Sequence, residues 1–392
     1  MNKTIHIRLK ILGAGILSLI LTLGIARFAY TPLLPIMQSE TWLNDASGGW
    51  LATFNYLGYM CGALIASSVT SLITKDKLYR LGLVVAVITT GAMAFTEDMM
   101  IWSLLRFFSG LSSAAGLLIG SALILNWLML NNHRSELGIH FSGLGLGIAF
   151  SALVVHLLEI NFDWREQWLI LAGLGVLLLI PAWKWLPKPD QSTVINSEKK
   201  LVDSPPSEQF LILMMCAYFC AGFGYVISAT FMVTIVERQP ALQGQGWIVF
   251  LVVGLAAAPA CIFWDRVARK TGTMTALLMA YSSQIIGMTL PVFSESLTII
   301  IFCAALYGGT FIGIVGLVLT MAGRFYPTKP AKLMGKLSLS YAVAQVIAPA
   351  LSGHIAQSTG SYDKALILAA IIMFAGTLII NYLRTYSEAS IN

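Results

Sequence analysis

The chain has 392 residues, of which 57% are hydrophobic and 11% charged, with a formal charge of +6 and a mean hydropathy of +0.79. A soluble domain carries about a quarter of its residues charged, so this composition excludes one and calls for a lipid solvent. The basic residues fall in short segments between apolar runs, a topology signal rather than a nucleic-acid footprint, and the five cysteines all sit inside those runs, implying neither a disulfide framework nor a metal site.

A bilayer core about 30 Å thick takes about 20 helical residues to cross. Runs of that kind recur at Leu9–Met37, Gly48–Ile73, Leu78–Phe95, Met99–Met129, Leu137–Leu158 and Trp168–Leu186, and again at Phe210–Val236, Trp247–Phe263, Met274–Phe293, Leu297–Gly323, Leu333–Ala356 and Ala365–Leu383. The expected fold is an all-α integral membrane protein with 12 transmembrane helices in two pseudo-symmetric six-helix bundles. The first run follows Lys3, Arg8 and Lys10 as a signal peptide would, but it is too long and lacks a small-residue cleavage site, so it reads as an uncleaved first helix. Loop charge puts both termini in the cytoplasm. Lys75, Lys77, Arg80, Lys184, Lys188, Arg269 and Lys270 fall on the side of the termini, whereas Glu40, Asp45, Glu97, Asp98, Glu159 and Glu237 fall on the other.

The polar stretch 187–209 reads as a cytoplasmic linker between an N-terminal bundle, 1–186, and a C-terminal bundle, 210–392. Internal repetition supports the division. Gly49-Trp50 opens the second helix and Gly246-Trp247 the eighth, and Leu105-Arg106 in the fourth pairs with Leu306-Tyr307 in the tenth, at offsets of about 200 residues.

A charge inside the bilayer is costly and marks a functional pathway by default, which singles out Arg27 and Arg106. At 1.5 Å per residue they lie roughly 20 and 12 Å below the outer surface, and no Asp or Glu lies comparably deep in any run. An anionic ligand would complement them, because guanidinium pairs bidentately with carboxylate or phosphate. The alternative is that each ties up backbone carbonyls of neighbouring or unwound helix. Pro32 and Pro35 follow Arg27 and are expected to bend the outer end of the first helix. Gly143, Gly145 and Gly147 leave a smooth face on the fifth helix, suited to a close helix–helix contact. Asn55, Tyr56, Tyr225, Tyr307 and Gln345 are candidate cavity-lining groups, while His140, His156 and His354 read as packed histidines more readily than as proton carriers.

Gly24-Ile25-Ala26-Arg27-Phe28-Ala29-Tyr30-Thr31-Pro32-Leu33-Leu34-Pro35, together with Asn55-Tyr56-Leu57-Gly58-Tyr59, resembles the YbfB/YjiJ branch of the major facilitator superfamily, and the likeness spans nearly the whole chain. Arg106-Phe107-Phe108-Ser109-Gly110 is similar to the superfamily's fourth-helix Arg-x-x-x-Gly motif, which implies proton coupling through Arg106 and Gly110. Trp264-Asp265-Arg266-Val267-Ala268-Arg269-Lys270 resembles the second-half copy of the cytoplasmic gate motif, which implies gating roles for Asp265 and Arg266. The glycines of the fifth helix resemble the antiporter motif without its proline, and the first-half gate segment, residues 70–80, departs from the family pattern by losing the usual Asp-Arg pair.

The expected function is a secondary active transporter for a small anionic organic solute, working by alternating access with a coupling proton. Arg27, Arg106, Asn55, Tyr56, Tyr225, Tyr307 and Gln345 would bind the solute, and Gly110, Gly143, Gly145, Gly147, Asp265 and Arg266, with Arg106, would couple or gate. A drug or metabolite efflux antiporter of the same fold is the nearest alternative, and a non-transporting membrane sensor or assembly factor the second. The expected partners are a small molecule, a proton and the bilayer. No enzyme activity, cofactor, metal or nucleic acid is expected, and the chain is expected to be a monomer in a bacterial inner membrane.

Overall fold

The computed structural model describes residues 2–131, 137–189, 203–326 and 330–389, and the regular secondary structure of these residues is helical throughout. The stretch 187–209 is described only at its two ends; residues 190–202, the greater part of the expected linker, lie outside the described residues. The chain divides into two compact units, Met1–Trp42 with Phe54–Lys199, and Leu43–Thr53 with Lys200–Asn392.

The first unit begins with one long apolar run. Helix α1 (Asn2–Leu19) passes through a π-helical segment, π1 (Ile20–Phe28), into α2 (Tyr30–Glu40). The bend expected at Pro32 and Pro35 is displaced: α2 is helical through both, and the departure from α geometry lies upstream, in π1. The reason is positional, since Pro32 falls in the first turn of α2, where a missing N–H breaks no bond. The switch itself is marked by Ala29 N–H bonding to the Gly24 carbonyl at 2.8 Å, a five-residue step.

Helices α3 (Asp45–Ser68), α4 (Leu72–Ala92) and α5 (Met99–Ala114) follow, then a second π segment, π2 (Ala115–Ile119), and α6 (Gly120–Leu130). The first unit closes with α7 (Leu137–Glu159) and α8 (Trp164–Trp185). A capping box at Asp163 and Glu166 starts α8. The α7 glycine face seats on the first run: a Cβ on Gly147 would come within 2.9 Å of the Gly24 backbone, and one on Gly143 within 2.8 Å of Ile16 Cα. Gly145 is buried beside them.

The segment 70–80 carries an i,i+4 ion pair on α4: Arg80 Nε donates to both carboxylate oxygens of Asp76, at 2.9 and 3.1 Å. The same guanidinium donates to the carbonyls of Trp183 at 2.7 Å and Leu186 at 3.0 Å, satisfying the end of α8.

The second unit contains α9 (Glu208–Glu237), α10 (Gly246–Ala257), α11 (Ala260–Thr271), α12 (Thr273–Thr289), α13 (Leu297–Phe325), α14 (Pro330–Thr359) and α15 (Asp363–Ala389). It also claims the start of α3. Arg238 forms a bidentate pair with Asp45 at 2.9 and 2.6 Å, Tyr362 donates to Asp45 Oδ1 at 3.0 Å, and Thr53 Oγ1 donates to the Val346 carbonyl at 2.9 Å. Gly49 and Gly353 let the backbones of α3 and α14 meet there.

Ten helical stretches among the described residues are long and apolar enough to cross a bilayer, or eleven when α10 and α11, bent by 47°, count as one span. The expected span Gly48–Ile73 corresponds to α3, which is helical over 24 residues but is not among them. Its polar stretch of Asp45, Ser47, Thr53, Asn55, Tyr56 and Tyr59 lowers its hydropathy. The structure therefore carries ten to eleven spans by length and composition, against the twelve expected.

Candidate functional site

Arg27 and Arg106 belong to one site in the first unit, and each is held differently. Arg106, on α5, aims its guanidinium at π1: Nη1 donates to the Ala26 carbonyl at 3.1 Å, and Nη2 to the Arg27 carbonyl at 3.3 Å. Two more α5 side chains repeat the pattern at helical spacing. Ser109 Oγ donates to Ala26 at 2.6 Å, and Ser113 Oγ to Thr22 at 2.7 Å. Residues 106, 109 and 113 thus lie on one α5 face and serve carbonyls of an antiparallel neighbour.

These donors fall where the helix changes type: the five-residue step from Ala29 N–H to the Gly24 carbonyl spans Ala26 and Arg27, whose carbonyls receive them. Two bonds to a charged donor at roughly 1.5–3 kcal/mol each more than offset the roughly 2.5–3.5 kcal/mol cost of a guanidinium in the bilayer interior. The Tyr30 ring, 4.4 Å from the Arg106 Cζ, adds a cation–π contact. This is the carbonyl-binding geometry weighed from sequence as the alternative for Arg106.

Arg27 is 6% exposed and lies among aromatic faces. Its Cζ is 4.4 Å from the Tyr56 ring centroid, 4.7 Å from Tyr59 and 5.3 Å from Phe28. Tyr56 and Tyr59 come from α3, which Asn55 ties down by donating to the Arg106 carbonyl at 2.9 Å. Gly110 makes this approach feasible, because a Cβ there would collide with the Asn55 carbonyl oxygen. Arg27, Asn55, Tyr56, Arg106 and Gly110 therefore converge. Tyr30, Tyr59, Ser109 and Ser113 complete the site; the spacing of the two serines behind Arg106 is the sequence signal that identifies them.

In the second unit Tyr225, Tyr307 and Gln345 are buried. Tyr307 Oη donates to the Tyr225 carbonyl at 2.6 Å. The rings form a ladder, Tyr307 to Phe311 at 5.4 Å, Phe311 to Tyr225 at 5.0 Å, Tyr225 to Tyr341 at 5.9 Å and Tyr341 to Tyr218 at 4.5 Å. Gln345 lies one helical turn beyond Tyr341 on α14, and its Oε1 is buried without a hydrogen bond.

Asp265 pairs with Arg269 at 2.8 Å on an exposed face of α11, and Arg266 points to the surface. Asp76 and Arg80 stand in the same four-residue relation on α4, each 189 positions earlier than its counterpart. Trp264, whose Nε1 donates to the Gly309 carbonyl at 2.6 Å, seats α11 on α13. His140 is fully buried in the first unit, where a Cβ on Gly15 would strike its ring, and His354 is exposed.

Residues 19–381 match the family model described as "Uncharacterised MFS-type transporter YbfB". The MFS-type transporter YceJ of Bacillus subtilis is 24% identical over 375 residues, covering 92% of this chain and 85% of its own. The hexuronate transporter of the same organism is 21% identical over 399 residues, covering 91% and 90% respectively. Among solved structures, the nucleoside transporter NupG superposes with a TM-score of 0.75 over 96% of this chain and 99% of its own, at 13% identity, a likeness of fold alone.

Proposed function

Because the chain belongs to the YbfB-type family of major facilitator transporters, we propose that it is a proton-coupled secondary transporter of a small anionic organic solute, working by alternating access. The coarser part needs no proposal: the family and its structural relatives are transporters, not enzymes, and the protein is a membrane protein with a small-molecule substrate.

One observation carries the anionic assignment. Arg27 is a buried guanidinium set among the faces of Tyr56, Tyr59 and Phe28, on a helix whose backbone is braced from α5. A buried guanidinium carries a full positive charge, and its planar fork suits bidentate pairing with a carboxylate. A π segment supports such a role, since π-bulges are frequent at functional sites. Hexuronate, the solute named for one relative, is a carboxylate at neutral pH.

In this reading Arg27 is the anchor, Asn55 and Tyr56 flank it, and Arg106 fixes the backbone that carries it. The Arg106–Gly110 motif couples the proton. Tyr225, Tyr307 and Gln345 are assigned to solute recognition in the second unit, and Asp265 and Arg266 to gating. Twelve spans, bundles at 1–186 and 210–392 joined by 187–209, cytoplasmic termini, a monomeric state and the bacterial inner membrane complete the proposal. The close contacts of Gly143 and Gly147 on α7 with the first helix favour efflux antiport as a second reading.

Proteoliposome assays test it. Uptake of carboxylates such as hexuronates should exceed uptake of neutral nucleosides, depend on an inward proton gradient, and vanish in Arg27→Ala. Equal handling of neutral and anionic solutes, unchanged by that substitution, would refute the anionic assignment. Movement only in exchange for outward protons would select the efflux reading.

A further inference from the structure

Helices α4 and α8 pack side by side and antiparallel: Arg80 meets the end of α8, and Gly91 lies against Ala172 near the opposite ends. Where α4 begins and α8 finishes, a cleft of about 720 Å³ opens. Its floor is the buried Asp76–Arg80 pair, and Lys77 and Lys188 stand on its rim.

The electrostatics of the cleft are lopsided. Three cations, Lys77, Arg80 and Lys188, face one carboxylate, Asp76, which leaves two positive charges in excess. Both Asp76 oxygens accept from Arg80, and the rest of that guanidinium caps the carbonyls of Trp183 and Leu186. The floor is thus self-satisfied, and the partly negative end of α8 is muted. Lys77 and Lys188 are exposed and, among the described residues, in no ion pair.

Chain chemistry changes sharply below the rim. Leu81 and Ile88, seven residues apart on one face of α4, are 57% and 60% exposed, and Leu177 and Ile180 on α8 are exposed as well. An apolar stripe open to the surroundings of a membrane helix is a face for acyl chains. Trp183, half-exposed and 5.0 Å from the Arg80 Cζ, sits between amines and stripe, the level at which tryptophan marks a membrane–water boundary.

From this juxtaposition we infer that the α4–α8 cleft binds an anionic phospholipid, with its phosphate between Lys77 and Lys188 and its acyl chains along the Leu81–Ile88 stripe. Basic pockets between membrane helices take anionic headgroups in this way. A zwitterionic headgroup fits less well, because its ammonium would meet the amines of Lys77 and Lys188, and the one carboxylate in the cleft, Asp76, is already neutralised by Arg80. A soluble phosphate would use the amines and leave the stripe without a role. The inference does not depend on what the protein transports.

The test is native mass spectrometry of the full chain in mild detergent, titrated with phosphatidylglycerol, phosphatidylethanolamine, glycerol phosphate or inorganic phosphate. Phosphatidylglycerol should bind preferentially, weaken by about 25-fold in Lys77→Gln/Lys188→Gln at about fivefold per lysine, and persist in Lys77→Arg/Lys188→Arg. Equal binding of the two lipids would overturn the inference, as would binding that the glutamine pair leaves unchanged. Displacement of the lipid by equimolar glycerol phosphate or inorganic phosphate would also overturn it, identifying a soluble-anion site. The glutamine variant should unfold at the wild-type temperature, since both lysines are exposed, so loss of binding would not reflect loss of fold.

Discussion

Arg27→Ala and Arg106→Ala should separate anchor from brace. Removing Arg106 deletes two bonds to the carbonyls of Ala26 and Arg27, each worth roughly 1.5–3 kcal/mol, and relieves a membrane charge costing roughly 2.5–3.5 kcal/mol. With the Tyr30 cation–π contact, about 1–2 kcal/mol, also lost, the net destabilisation is about 3 kcal/mol. For a unit of this size that lowers the unfolding midpoint by about 6–12 °C. Arg27→Ala loses close cation–π contacts on Tyr56 and Tyr59, of about 1–2 kcal/mol each, and relieves the same charge, two effects that nearly cancel. Thermal unfolding in detergent, with and without an anionic solute, reads both quantities. Arg106→Ala should unfold early and keep part of the ligand-induced shift, whereas Arg27→Ala should unfold at the wild-type temperature and lose the shift entirely. An Arg106→Ala protein as stable as wild type but blind to ligand would refute the division of roles. So would an Arg27→Ala protein that falls as far as Arg106→Ala.

At the end of α8, Arg80→Ala should cost about 3–5 kcal/mol by leaving Asp76 buried and unpaired, and Asp76→Asn in that background should recover much of the loss; additive costs in the unfolding cycle would contradict the pairing. Gly147→Val should prevent correct packing, because a Cβ there meets the Gly24 backbone within 2.9 Å, and size-exclusion of the detergent-solubilised protein should show aggregation; a monodisperse, stable variant would sink the close-contact reading. Asp45→Ala should cost about 1 kcal/mol after solvent screening of the half-exposed Arg238, and hydrogen exchange should speed up in residues 43–53; unchanged exchange would mean that the pair does not hold this segment.

What was legible in the sequence divides along physical lines. Span positions and family are long-range signals, built from runs of about 20 apolar residues and motifs that survive averaging. The burial of Arg27 and Arg106 follows from the same counting. Bonding partners do not, because whether Arg106 meets an anion or a carbonyl depends on a change of helix type at Ile20–Phe28 that no composition rule marks. Pro32 lies just beyond that change, and the sequence reading expects a bend at Pro32 and Pro35, through both of which α2 runs helical. Asp76–Arg80 escaped for a related reason. Motif comparison looks for the adjacent letters Asp-Arg, whereas the physical requirement is only an i,i+4 pair that can reach the end of α8, and Asp76 with Arg80 meets it. The matching Asp265–Arg269 pair, 189 residues later, shows that the repeat carries this geometry even where its letters have drifted, so comparing the halves by pair spacing recovers what letter matching loses.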